Sequence, residues 1–188
     1  MIMPPKVKVS KDDIVEAAFT IVRKDGIDAM NARAIASALN CSTQPIFSNF
    51  GSIDELRIAV VERTDRFFHE LLRTAIECGE YHPYKATGMA YIKFAKDEKE
   101  LFKLLYMRDR TDEVTDGTSK VDELIGPIVR EATGLGRDDA ALFHLEVWAY
   151  VHGIATMFAT GFLDMDMGLV SRMMTDSYQG LRKQHGLD

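Results

Sequence analysis

The segment STQPIFSN, residues 42–49, concentrates side chains suited to reading nucleic acid. Gln44 and Asn49 carry the paired amide donor and acceptor that match an adenine edge, and the hydroxyls of Ser42, Thr43 and Ser48 can reach a base or a phosphate. If this is a short helix with Ile46 and Phe50 turned inward at i, i+4, its outward side chains are Thr43, Gln44, Phe47, Ser48 and Asn49. Arg33 and Ser52, at the starts of the neighbouring helices, add a charge and a hydroxyl for phosphate. Other chemistry finds little footing. There is no Gly-rich phosphate loop, no H-E-x-x-H and no nucleophile with a base, so no catalytic residue is assigned. His144, Glu146 and His152 have no spacing that sets three ligands on one helical face, and neither a metal nor a cofactor is expected.

The elements that must position these residues read as all-α, about nine helices, with no run of clean alternation bounded by hairpin turns. Ser10 and Asp13 form a capping box with the shorter acid. Ile14, Ala17, Ala18, Ile21 and Val22 then follow the helical repeat, and Gly26 stops it. Short helices near 32–39 and 43–49 come next, separated by Asn40-Cys41-Ser42. Asn40 can take the left-handed conformation, Cys41 can tuck under the turn, and Ser42 can cap the third helix through the Gln44 amide ahead of Pro45. Gly51, Ser52 and Glu55 stop the third helix and open a long fourth one towards Cys78 with an S-x-x-E box. Further helices are expected near 84–96, 98–108, 119–133, 138–162 and 167–185, with no internal repeat.

Composition excludes several classes. At 46% hydrophobic and 28% charged the chain is a folded globular protein and not a disordered one. Two distant cysteines, Cys41 and Cys78, and the lack of a secretory apolar core place it in a reducing cytoplasm. The net charge is −6, yet residues 1–60 carry as many basic as acidic groups, so the surplus of acid lies beyond them and a polyanion would meet the first third.

The succession of a capped helix, Gly-Ile, ARAIASALNCSTQPIFSNF and SIDEL resembles the DNA-binding domain of the TetR (tetracycline-repressor-like) family of transcriptional regulators. The resemblance covers about residues 10–56. It implies a helix-turn-helix domain over residues 1–52, an effector-binding and dimerisation domain over residues 53–188, and double-stranded DNA as partner. It also exposes two departures: Phe47 stands where the family usually has Tyr, and Ile53 where it usually has Lys. Both usual residues clamp phosphate, so salt-sensitive DNA binding is expected, with Lys6, Lys8, Lys11 and Arg33 partly substituting.

Between Ala140 and Leu163 only Glu146 is charged, but the flanks lack Lys or Arg anchors and histidines interrupt the run, so no membrane span is expected. A helix apolar all round is buried on every side, as between its own domain and a second copy. The following helix carries Val170, Met173, Met174, Ser177 and Leu181 on one stripe, and Gly153 would permit a close crossing. A homodimer through these two helices is expected, reading a roughly palindromic operator. VWAYVHGIA resembles the Trp-His-Gly signature of one C-terminal subgroup of the family, with Trp148 and His152 sharing a face. Tyr91, Phe94, Phe102, Leu105, Tyr106, Met107 and Met157 join them as the expected lining of a pocket for a small apolar or aromatic effector. The expected function is a regulator, in the main a repressor released by that effector. The alternative is a helical-bundle carrier or enzyme of the same fold that does not bind DNA.

Overall fold

The structure is a computed structural model and describes residues 9–108 and 120–187. Among these residues all regular structure is helical: α1 (Lys11–Asp25), a single 3-10 turn (Ile27–Ala29), α2 (Ala32–Ala38), α3 (Gln44–Asn49), α4 (Ile53–Cys78), α5 (Pro83–Asp97), α6 (Lys99–Tyr106), α7 (Lys120–Thr133), α8 (Arg137–Thr160) and α9 (Met167–Gln184). Lys6 and Lys8 of the expected basic arm lie outside the described residues.

Local chemistry sets the boundaries. Asp13 accepts from the Ser10 amide at 2.9 Å while its own amide donates to Ser10 Oγ at 3.1 Å, closing the capping box of α1. The box expected on α4 is only half present. Ser52 Oγ accepts from the Glu55 amide, but the Glu55 carboxylate accepts from the amide of Gly51, one residue before the cap. Gly79 and Gly161, at φ 70° and 69°, end α4 and α8 in the left-handed region, so α8 stops two residues short of its expected end.

The hydrophobic core runs unbroken from α1 (Ile14, Ala18, Val22) through α4 (Leu56, Val60, Phe68) to α5, α6, α8 and α9. A smaller cluster, Tyr84, Ile125, Val129, Ala140 and Phe143, closes the far end. The N-terminal helices are therefore joined to the bundle by apolar packing, reinforced by an Arg63–Glu16 ion pair between α4 and α1 and by the Phe19–Phe67 ring pair at 5.7 Å. No helix among the described residues is long and apolar enough to cross a membrane.

Candidate nucleic-acid interface and effector cavity

The turn between α2 and α3 is built as a Schellman motif. Asn40 takes φ 51°, its amide donates to Ser37 O at 3.2 Å, and the Cys41 amide reaches back to Ala36 O at 2.9 Å. Cys41 packs against the core beneath it. The geometry of capping differs from the sequence expectation at one point. Thr43 stands at the N-cap of α3, no side chain caps that helix, and Ser42 makes no cap bond. With Pro45 in the first turn, one of the amides a cap would satisfy is missing.

Ile46 is fully buried and Phe50 nearly so, which orients the rest of α3 outward. Gln44, Phe47 and Ser48 are exposed, Phe47 at 54%, while Thr43 and Asn49 are half-buried. Asn49 Nδ2 donates to Pro45 O at 2.8 Å and Ser48 Oγ to Gln44 O at 2.9 Å, so both side chains are tied to their own helix, with their acceptor oxygens spare. Ser52 is committed to capping α4. Arg33 is exposed and meets no carboxylate among the described residues, whereas Lys11 lies 3.6 Å from Glu55 and over the Phe50 ring. Ile53 is half-buried and packs on the core.

In the bundle, α4 to α9 together with the end of α1 and the turn after it line a cleft of about 2320 Å³. Single ligands occupy roughly 300–1,000 Å³, so one effector would fill part of it. Tyr91, Leu105, Tyr106, Met107, Trp148 and His152 line it. Phe94, Phe102 and Met157 do not: the two phenylalanines are fully buried behind the wall, and Met157 is half-buried away from it. Tyr91 Oη lies 2.8 Å from His152 Nδ1. The Trp148 ring stacks on His152 at 4.8 Å and 20°, and Phe102 stacks on it at 5.9 Å. Burial pushes the Tyr91 phenol well above its ordinary range, with a Trp148 hydrogen bond acting the other way, and burial holds the His152 imidazole below its ordinary value.

The expected dimer stripe is partly covered within the protomer. Val170 and Met174 are buried within the protomer, Met173 and Leu181 pack on its core clusters, and Ser177 lines the cleft. The Met174 methyl group occupies the space a Cβ at Gly88 would take, so this face of α9 is filled by α5. Exposed apolar surface appears instead on α8, at Leu142 and Leu145, and at Leu169 of α9. Gly153 is exposed with open space before it.

The two ends are fastened together by contacts the sequence reading missed. Arg23, at the end of α1, makes a two-pronged ion pair with Glu98, the residue joining α5 to α6, and lies over the Phe67 ring. Glu98 holds the Arg23 guanidinium even more firmly charged. Beside it, the Glu100 carboxylate sits 2.9 Å from where a Gly26 Cβ would stand.

Residues 84–177 match the family model described as "Tetracyclin repressor-like, C-terminal domain". Over 160 residues the chain is 23% identical to an uncharacterized HTH-type transcriptional regulator of Mycobacterium tuberculosis, covering 84% of this chain and 73% of that protein. A protein of unknown function from Rhodococcus sp. RHA1 superposes with TM-score 0.73 at 26% identity, covering 95% and 98% of the two chains. A TetR-like transcriptional regulator from the same organism shares the fold at TM-score 0.66 and 18% identity, covering 98% and 100%.

Proposed function

The chain belongs to the tetracyclin repressor-like family through its C-terminal domain, and from that premise we propose that it is a cytoplasmic, homodimeric repressor released from a roughly palindromic operator by a small apolar or aromatic molecule. Residues 1–52 bind the DNA, and residues 53–188 bind the effector and dimerise. The observation that carries this reading is the pairing of a polar outward face on α3 with an aromatic-lined cleft in the bundle, joined through α6 and the Arg23–Glu98 pair. Gln44 and Asn49 offer amides to base edges, Thr43, Ser42 and Ser48 hydroxyls, and Phe47 an apolar contact for a thymine methyl group. Arg33 and Ser52 face phosphate.

The dimer forms through the outer face of α8, with Leu142 and Gly153, together with Leu169 of α9. This face is apolar and exposed on the protomer, which supports its burial against a second copy. Two copies then hold their reading helices about 34–36 Å apart, one turn of duplex. The Trp148–His152 stack beside Gly153 supports placing the C-terminal half in the Trp-His-Gly subgroup. Release requires the effector to bind the DNA-free arrangement more tightly than the DNA-bound one.

Selection of a random duplex DNA pool on the purified protein at low and moderate salt tests the reading. An enriched palindrome is expected. A folded dimer that enriches nothing at any salt overturns it in favour of a carrier or enzyme on this fold.

A further inference from the structure

Charge is unevenly spread over the cleft. Its carboxylates, Asp25, Asp28, Glu62, Asp65, Glu100 and Glu123, come from the end of α1, the turn after it, α4, α6 and α7, where Arg57, Lys103 and Arg130 stand among them. The walls supplied by α5, α8 and α9 contribute the cations Lys85, Arg137 and Arg182, and no carboxylate among the described residues. Lys85 is the exceptional group. Of the half-buried lysines described, Lys96 lies 2.7 Å from Asp164 and Lys103 lies 2.6 Å from Glu100. Lys85 is also half-buried but meets only neutral groups among the described residues: its Nζ donates to Thr175 Oγ1 at 2.8 Å and lies 5.0 Å from the centre of the Tyr81 ring. Thr175 in turn donates to Ser171 O at 3.0 Å, so its oxygen is oriented to receive the ammonium. A cation withdrawn from water without a counter-charge is costly, and a ligand that brings the missing charge recovers that cost on binding.

We propose that the effector is a small organic acid, an apolar ring-bearing body with a single oxyanion head, whose head pairs with Lys85 while its ring packs against Trp148 and His152. This rests on the cleft being the effector site. Lys85 and Tyr91, which holds His152, both line the cleft and stand six residues apart on α5, a rise of about 9 Å and roughly a third of a turn around its axis.

Trp148 is the one tryptophan in the chain and lines the cleft, so its fluorescence reports occupancy directly. The test titrates full-length protein, without DNA, with 1-anilinonaphthalene-8-sulfonate and with N-phenyl-1-naphthylamine, which share an aromatic body and differ in the anionic head. Wild type should bind the sulfonate at least about tenfold more tightly, the scale of one charge-assisted hydrogen bond. Lys85→Met should abolish that preference while leaving the neutral probe's affinity within about twofold, because only the head contact is removed. Lys85→Arg should retain it. Equal binding of the two probes by wild type, or a preference that survives Lys85→Met, overturns the proposal while leaving the cleft as an effector site. If neither probe changes Trp148 emission, the effector-site reading itself fails and the proposal with it.

Discussion

The outward face of α3 and the apolar stripe of α9 are both read from helical periodicity, yet the structure gives them opposite fates. On α3, burial of Ile46 and Phe50 leaves Gln44, Phe47 and Ser48 in solvent. On α9, Val170 and Met174 are buried within the same protomer, with Met174 seated on Gly88, while Met173, Ser177 and Leu181 stay half-buried. Periodicity locates an apolar face but does not name what covers it. A six-residue helix at the edge of a small domain has one neighbouring core, so the ambiguity is absent. An 18-residue helix beside a bundle can turn its apolar face to its own chain or to a second copy.

The contrast predicts where single changes act. Replacing Gln44, Phe47 and Asn49 together by alanine should remove two amide contacts worth about 1–3 kcal/mol each. Operator affinity measured by fluorescence anisotropy should fall by more than about 30-fold while the protein still sediments as a dimer. A dissociated protein would mean that α3 has a structural role. On α9, Met174→Ala should cost about 2–5 kcal/mol in denaturant unfolding, whereas Leu142→Glu on the exposed face of α8 should leave the protomer folded but monomeric. Reversal of those two results would restore the α9 stripe to the interface.

Smaller effects sharpen the comparison at the reading end. Asn40→Ala should destabilise the protein by about 1–2 kcal/mol, the penalty of a left-handed residue without asparagine's local tolerance, while Asn40→Gly should be near neutral. Calorimetric melting distinguishes them. Ile53→Lys should steepen the slope of log affinity against log salt by about 0.9, one phosphate contact, and an unchanged slope would place residue 53 away from the DNA backbone. The smallest effect belongs to the cleft. His152 is held below its ordinary pKa, so its contribution to stability is complete above about pH 6.5 and is lost as pH falls through the lowered folded value. The melting temperature of wild type should therefore drop further between pH 7.5 and 5 than that of His152→Gln. Parallel curves would remove His152 as the cause.

Local signals in the sequence were enough for the helix order, the Asn40 turn and most boundaries, because caps and left-handed stops act within a few residues. Even there the Glu55 side chain accepts from Gly51 rather than Ser52, a choice between adjacent amides that the S-x-x-E motif does not encode. The cleft was legible only in part. Tyr91, Trp148 and His152 announce themselves as an aromatic and imidazole set, but Phe94 and Phe102, equally aromatic, face the core. Which side of α5 and α6 borders empty space depends on how helices far apart in the chain pack together. Lys85 with Thr175 and Arg23 with Glu98 are separated by 90 and 75 residues, and nothing local in either residue's surroundings points to its partner.

The Arg23–Glu98 pair also makes α6 a short rigid crank. The helix has eight residues, about 12 Å of length, with Tyr106 in the cleft at one end and Glu98 pinned to the last turn of α1 at the other. A molecule that pushes Tyr106 aside cannot tilt α6 about a free end. It must either carry the end of α1 along or pull two charges apart, and the choice between those outcomes fixes whether occupancy of the cleft is transmitted or absorbed.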